Sequence, residues 1–383
     1  MQDRQRIVFL DFARVTACVL VILYHTCSDT SFTWYPELET VFFADESAHV
    51  WSSLFFIAGH VGVPLFFMIS AWLLLPLGAD ENAFGFYRRR FARIIPPFLI
   101  FSVFYVFEPF IMGHASFVGQ AGRLPHIPVN FTRTHLWYMY VLVGLYLTMP
   151  VISPWLSRAT AREERMFIGL FALSTFVGLL HHQFENVWGE AGWNEFNALW
   201  YFSGYLGYMV TAHYIKVHLR WSARRRVVAG VITATVVFGI LYAAYYRVMD
   251  KDTYNEFLSD WLLSYTSPLI VLLSVSVFLA FTGIGSVRVP RAVSEVSRHS
   301  FGIYLLHRCV VADVATYLAF ILPASFAFRV PVAAAISLVL SYGAVKAVSC
   351  LPYGRYIVGS STRTALSRDA KKRQKSETQH LTQ

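Results

Sequence analysis

The chain has 383 residues, of which 56% are hydrophobic and 14% are charged, and its mean hydropathy is +0.48. Soluble domains contain about 25% charged residues, so this composition excludes an ordinary soluble protein and predicts a polytopic membrane protein. The formal net charge is +9, but we expect no nucleic-acid partner, because the basic residues follow membrane topology instead.

Hydropathy predicts about ten membrane-spanning helices, which would form an all-α helix bundle in the lipid bilayer. The predicted spans are 7–27, 53–77, 94–113, 135–153, 165–181, 197–215, 227–246, 261–282, 299–323 and 329–350. They divide the connections into two sets. The set that contains both termini holds 24 of the 32 Lys and Arg residues, and the opposite set holds six. The positive-inside rule therefore predicts that both termini are cytoplasmic.

The same distribution divides the chain into two parts. Residues 1–350 contain every predicted span and form the expected membrane domain. Residues 351–383 are polar and basic and lack core-forming residues, so we expect a largely disordered cytoplasmic tail.

The first predicted span, Ile7–Cys27, carries three ionisable residues: Asp11, Arg14 and His25. Asp11 and Arg14 are three residues apart and can pair on one helix face. Arg14 and His25 are eleven residues apart, which is close to three helical turns and about 16 Å along the axis. We expect one polar stripe along this helix. Structural contacts inside a bundle would explain such residues, but ionisable groups at membrane depth are costly, and three on one face favour a functional site.

A basic cluster precedes the third predicted span. Arg90 and Arg93 share a helix face just before Pro96. The cluster could set topology or contact anionic lipid. It could equally bind phosphate, because the guanidinium group offers fixed bidentate donors.

Two later spans carry further polar residues. His135 and Trp137 open the fourth span; an aromatic belt at the membrane interface accounts for Trp137 but not for His135. Tyr304 and His307 are three residues apart on one face of the ninth span, and His307 lies at membrane depth. A satisfied histidine inside the bundle is the alternative to a functional role.

The chain shows no pattern for a bound metal. Its four cysteines form no CxxC pair, and the histidines have no metal-ligand spacing, so we predict neither a metal site nor a disulfide framework.

Five motifs occur in one order along the chain. They are Asp11-x-x-Arg14-x10-His25, the VPLFFMIS segment of the second span, Arg90-x-x-Arg93-Ile94-x-Pro96, His135-Leu136-Trp137-Tyr138 and Ser300-Phe301-Gly302-Ile303-Tyr304-Leu305-Leu306-His307. Together with the ten-span layout, this series resembles the membrane-bound acyltransferase-3 family, in its stand-alone form without a fused esterase-like domain. One departure is Ser70-Ala71-Trp72, where the family usually has Ser-Gly-Tyr or Ser-Gly-Phe.

The resemblance implies an acyl-CoA-dependent O-acyltransferase in the bacterial cytoplasmic (inner) membrane. Such enzymes move an acyl group, often acetyl, from cytoplasmic acyl-CoA to a hydroxyl of an extracytoplasmic or lipid-linked carbohydrate. Acetyl-CoA would then be a donor substrate, and we expect no permanently bound cofactor. The family histidine that matches His25 is regarded as essential, and the pair that matches Arg90 and Arg93 is linked to the CoA donor. No pattern in the sequence specifies an oligomer.

These residues suggest a mechanism. His25 is the candidate general base for the acceptor hydroxyl, or a nucleophile that carries the acyl group in turn. Asp11 and Arg14 complete the candidate catalytic stripe, and Arg14 lies on the expected path of the donor from Arg90 and Arg93. The expected acceptor-orienting or oxyanion-stabilising residues are His135, Trp137, Tyr304 and His307.

Two other functional classes remain compatible with the sequence. A transporter of a glycolipid or small anion would also bury charges, although the chain has no evident inverted repeat. A non-catalytic scaffold in polysaccharide assembly would tolerate loss of His25. An acyltransferase releases free CoA, whereas a transporter or a scaffold does not, so a CoA assay distinguishes the three classes.

Overall fold

The computed structural model describes residues 7–31, 46–78, 81–184, 186–189, 197–250, 254–285, 287–321 and 325–359. These ranges contain α-helices, short 3-10 helices and no β-strand, which confirms the predicted all-α fold. The α-helices are α1 Val8–Ser31, α2 Glu46–His60, α3 Gly62–Leu74, α4 Ala83–Ile111, α5 Phe117–Ala121, α6 Trp137–Leu156, α7 Ala161–Ser174, α8 Val177–Gln183, α9 Leu206–Val217, α10 Ala223–Val248, α11 Glu256–Leu263, α12 Pro268–Thr282, α13 Arg291–Ile321, α14 Phe326–Cys350 and α15 Gly354–Ile357. The 3-10 helices are Leu124–His126, Thr134–Leu136 and Trp200–Phe202.

Within these ranges, eight helical segments are long and apolar enough to cross a membrane, so the chain is a multi-pass membrane protein. Each of the ten predicted spans overlaps a helix. The two that do not qualify are the sixth and the ninth. α9 has only 12 residues, whereas the 31 residues of α13 are long enough to cross a membrane. The number of ten crossings and the cytoplasmic position of both termini stay predictions.

α1 lies at the centre of the bundle and packs against α2, α3, α12, α13 and α14. Its small buried residues Ala13 and Ala17 allow neighbouring helices to approach closely. Gly59 serves the same purpose on α2, because a Cβ atom there would lie 2.5 Å from the Cβ atom of Tyr24. The small residues at this contact therefore bring the backbones of α1 and α2 together.

The helix α4 begins earlier than the sequence indicated. The predicted span started at residue 94, whereas the helix starts at Ala83, where the side chain of Asn82 accepts a hydrogen bond from the backbone N–H of Gly85. Pro96 and Pro97 lie inside the helix. Membrane helices tolerate proline because neighbouring groups satisfy the freed carbonyls. The basic cluster is consequently part of the helix instead of a loop before it.

A buried polar network joins α7 to α9. Oε1 of Glu164, a fully buried residue, lies 2.9 Å from Nδ1 of His213 and 3.0 Å from Nε2 of His218. Close by in sequence, Nζ of Lys216 donates to the carbonyl oxygens of Trp72 and Leu75 at 2.7 and 2.8 Å. This lysine satisfies carbonyls at the end of α3, which would otherwise have no helical partner.

The chain continues beyond the predicted end of the membrane domain at residue 350. The short helix α15 packs against α14 and α4, and Val358 behind it is buried. Residues 360–383 of the predicted tail lie outside the described residues.

We expect Gly59→Ala to lower the apparent melting temperature of the purified protein, because overpacking costs about 1–3 kcal/mol where neither helix can move away. The matched control is Gly144→Ala on α6, where an added Cβ atom meets nothing within 4 Å. Gly144→Ala gains the same helix propensity as Gly59→Ala, about 1 kcal/mol, without a steric clash. Equal melting temperatures for the two variants would contradict the close contact.

Candidate active site

Three histidines from distant parts of the sequence meet beside α1. His25 lies on α1, His135 on the 3-10 helix before α6, and His307 on α13. The ring centroids of His25 and His307 are 5.2 Å apart, those of His135 and His307 are 5.2 Å apart, and those of His25 and His135 are 6.3 Å apart. We call these three residues the histidine cluster.

Backbone carbonyls determine which ring nitrogen carries a proton in two of these histidines. Nδ1 of His307 lies 2.6 Å from the carbonyl oxygen of Tyr304, and Nε2 of His135 lies 3.4 Å from the carbonyl oxygen of Leu305. A carbonyl only accepts hydrogen bonds, so each of these nitrogens is the donor. In the neutral ring the other nitrogen, Nε2 of His307 or Nδ1 of His135, presents a lone pair. Both of these atoms are buried without a hydrogen-bond partner in the described part of the chain.

His25 differs from its two neighbours. It is half-buried, and among the described residues it makes ring contacts rather than hydrogen bonds. The ring of Tyr24 lies 5.0 Å from that of His25 and 4.8 Å from that of His60. No carbonyl fixes its tautomer, so His25 can gain a proton on one nitrogen and lose it again without breaking a structural hydrogen bond.

A cavity of about 110 Å³ opens beside the cluster. The side chains around it combine imidazoles, phenols and a few apolar groups. They belong to Val21, Tyr24, His25, Gly59, His60, Val63, Thr134, His135, Trp137, Tyr138, Tyr265 and Tyr304. The hydroxyl of Tyr304 donates to the carbonyl oxygen of His135 at 2.5 Å, which ties α13 to the start of α6.

Two ion pairs hold the elements that carry the cluster. Arg308 pairs with the buried carboxylate of Asp29, and this pair joins α13 to α1. Nη2 of Arg133 lies 3.3 Å from Oε2 of Glu108, which joins the segment before His135 to α4. The first ion pair thus holds His307 beside His25, and the second holds His135 beside α4.

The N-terminal end of α1 also contacts α13. Oγ of Ser297 on α13 donates to Oδ1 of Asp11 at 2.7 Å, and Nη1 of Arg14 lies 4.0 Å from the same oxygen. Since Asp11 contacts Ser297 and His25 contacts His307, α1 and α13 run in parallel. The stripe of ionisable residues on α1 faces α13.

Arg90 and Arg93 lie apart from the cluster. Both are on the first turns of α4, where Arg93 is exposed and the guanidinium of Arg90 lies 5.7 Å from the ring centroid of Phe86. Farther along α4, the ring of Tyr105 is 5.1 Å from that of His135. Twelve residues of helix separate Arg93 from Tyr105, or about 18 Å. A ligand that contacts both ends must have a long arm.

The structure thus gathers four predicted residues, His25, His135, Trp137 and Tyr304, around one cavity, and places His307 behind it in ring contact with His25 and His135. It keeps Asp11 and Arg14 at one end of α1, and Arg90 and Arg93 on α4.

Sequence reasoning missed other residues of the site. Arg308 is an ionisable residue beside His307 inside a predicted span, which is itself a signal of a buried pair. Its partner Asp29 lies just after the first predicted span, and an isolated acidic residue there carries no comparable signal. His60, another cavity residue, lies in the second predicted span, in which we singled out only the VPLFFMIS segment.

Among the side chains that the structure describes, no group of three His, Cys, Asp or Glu residues has the geometry of a metal site. None of the four cysteines forms a disulfide bond within the described residues. The absence of a metal in the working enzyme stays a prediction.

A family model described as an acyltransferase domain matches residues 7–346 of the chain. No curated protein and no solved structure matches the chain.

We expect Asp29→Ala to destabilise the protein by about 3–5 kcal/mol, because the guanidinium of Arg308 would remain buried without its partner. The double variant Asp29→Ala/Arg308→Met should be more stable than Asp29→Ala alone, since it leaves no unpaired charge. Thermal unfolding in detergent measures both. Glu81→Ala, which removes the partner of the exposed Arg89, is the control and should have little effect. A double variant less stable than Asp29→Ala would contradict this account.

Proposed function

Because the chain belongs to the acyltransferase-3 family, and is thus a membrane acyltransferase, we propose that it takes an acyl group from cytoplasmic acyl-CoA. The acyl group, most simply acetyl, passes to a hydroxyl of an extracytoplasmic or lipid-linked carbohydrate. We propose the bacterial inner membrane as its location, since such acceptors are assembled there. The observation that carries this proposal is the histidine cluster beside a cavity, together with an arginine pair on α4, of which Arg93 lies about 18 Å along the helix from Tyr105, the neighbour of His135.

His25 acts as the general base. Its free ring nitrogen removes the proton from the acceptor hydroxyl while the oxygen attacks the thioester carbon. The carbon–sulfur bond then breaks, the protonated ring returns its proton to the departing CoA thiolate, and the products are an ester and CoA. A variant of this route passes the acyl group through a nitrogen of His25 and predicts ping-pong kinetics.

The neighbouring imidazoles favour an acceptor with several hydroxyl groups. His135 and His307 present lone pairs, since their other nitrogens donate to carbonyls. Lone pairs accept hydrogen bonds from O–H groups and cannot stabilise an oxyanion. We therefore assign these two residues to orienting the acceptor. A sugar offers adjacent hydroxyls that satisfy such acceptors while one hydroxyl reacts at His25. The hydroxyl of Tyr304 already donates within the protein, so Tyr304 positions His135, and Trp137 forms an aromatic wall of the cavity.

The donor is proposed to reach the cavity from the opposite end. Arg90 and Arg93 would bind the phosphate groups of CoA, for which guanidinium groups are well suited. The long pantetheine arm would follow α4 from these arginines toward Tyr105 and present the thioester beside His25. Asp11 accepts a hydrogen bond from Ser297 on α13 and lies 4.0 Å from Nη1 of Arg14, so Asp11 holds Arg14 in place at that end of α1.

We expect His25→Gln to lower acetyl-CoA turnover by about 10²–10⁴-fold, because an amide cannot accept the proton. Binding of acetyl-CoA should be nearly unchanged. The assay measures release of CoA thiol by the purified, full-length protein, with membrane glycan extract as acceptor. The control is His126→Ala, an exposed histidine that does not line the cavity. Wild-type activity in His25→Gln would eliminate His25 as the base. Absence of CoA release from acetyl-CoA in the wild type would eliminate acetyl as the acyl group, and absence with longer acyl-CoAs as well would eliminate the acyl-CoA proposal in favour of transport or scaffolding.

We expect Arg90→Ala to weaken acetyl-CoA binding at least tenfold by removing a charge-assisted phosphate contact. Isothermal titration with acetyl-CoA measures the affinity directly. Arg224→Ala removes an exposed arginine of another basic cluster, at the start of α10, and serves as the matched control. If both variants bind as tightly as the wild type, the donor phosphates are held elsewhere.

A further inference from the structure

The cavity beside His25 has a polar part and an apolar part. Most of the residues around it carry an imidazole, a hydroxyl or an indole. The exceptions are Val21, Gly59 and Val63, which have no polar side-chain atom. We call these three residues the apolar end of the cavity.

The apolar end is formed where α1 meets α2 and α3. Val21 lies four residues before His25, so both are on one face of α1, about one turn or 6 Å apart. Val63 follows Gly59 by four residues at the start of α3, and each valine is only 7% exposed. The apolar end therefore lies next to the proposed base but one turn toward the N-terminal end of α1.

Close backbone contacts keep this end of the cavity from widening. A Cβ atom on Gly62 would lie 2.9 Å from Cγ2 of Val21 and 2.9 Å from the carbonyl oxygen of Ala17. α1 and α3 are thus already in contact beside the cavity. A larger ligand would have to separate two helix backbones, which a close-packed interior resists.

The volume of the cavity limits what can enter. An apolar cavity of about 150 Å³ holds one benzene molecule, with six carbon atoms. The cavity here measures about 110 Å³ and must also receive the reacting hydroxyl. This leaves space for a short acyl chain only.

Resting on the acyl transfer proposed above, we propose that Val21 and Val63 form the end of an acyl pocket and set the longest acyl chain that the enzyme accepts. The thioester carbon must lie near the hydroxyl held by His25, and the acceptor occupies the polar part of the cavity. The acyl chain beyond the carbonyl then extends into the apolar end. Acetyl and propionyl fit, whereas a hexanoyl chain does not.

The test compares the acyl-CoA preference of variants at Val63. Full-length protein in lipid nanodiscs receives acetyl-CoA, propionyl-CoA or hexanoyl-CoA, with membrane glycan extract as acceptor, and release of CoA thiol is measured. Val63→Ala should raise the rate with hexanoyl-CoA relative to acetyl-CoA at least tenfold, and Val21→Ala should act in the same direction. Val63→Leu should lower the rate with propionyl-CoA relative to acetyl-CoA. The matched control, Val19→Ala, changes a valine on the same helix as Val21 that is 37% exposed and does not line the cavity.

Opposite changes in Val63→Ala and Val63→Leu would support the pocket, because misfolding lowers all rates and does not move two ratios in opposite directions. The pocket is overturned if the ratios stay those of the wild type while acetyl-CoA is consumed, and the proposed function then survives. It is also overturned if the wild type uses hexanoyl-CoA as fast as acetyl-CoA. If the wild type consumes no acyl-CoA of any length, the proposed function and the pocket both fail.

Discussion

The parallel packing of α1 against α13 is the constraint on which the site depends. Asp11 and Ser297 join the two helices at one end, and Asp29 and Arg308 join them at the other. An ionisable group inside a membrane is costly unless it has a partner in the protein, so these contacts permit one register only. A shift of one residue would turn His25 by about 100° away from α13.

This register explains the chemical character of the site. It places three imidazoles within 6.3 Å of one another, where backbone carbonyls already occupy one nitrogen of His135 and one of His307. Of these three residues, His25 alone keeps both ring nitrogens clear of the backbone in the described part of the chain, whereas Nδ1 of His135 and Nε2 of His307 are buried there without a hydrogen-bond partner. The arginine pair on α4 is too distant to take part in proton transfer. Under the proposed function, this arrangement separates the place where the donor phosphates bind from the place where the acyl group is transferred.

The differences between expectation and structure come from effects that hydropathy does not detect. α4 starts eleven residues before the predicted span. Its first part is polar and basic, so hydropathy does not detect it, yet it forms one continuous helix with the apolar part through Pro96 and Pro97. α9 is shorter than a span because the residues before it form only a 3-10 helix, Trp200–Phe202, in place of a continuous helix. Hydropathy measures the preference for lipid, whereas helix ends are set by local hydrogen bonds.

The sequence by itself determined the all-α membrane fold, the family, and the common face of Arg14 and His25, because hydropathy and helical periodicity are local properties of the chain. It also pointed to His135, which an aromatic belt does not explain, and to His307, for which a satisfied histidine inside the bundle stayed the alternative. Only the tertiary structure decided that these two rings contact His25 beside the cavity, and that Arg308 pairs with Asp29. Those contacts join residues more than a hundred positions apart, and packing of whole helices, not local spacing, brings them together.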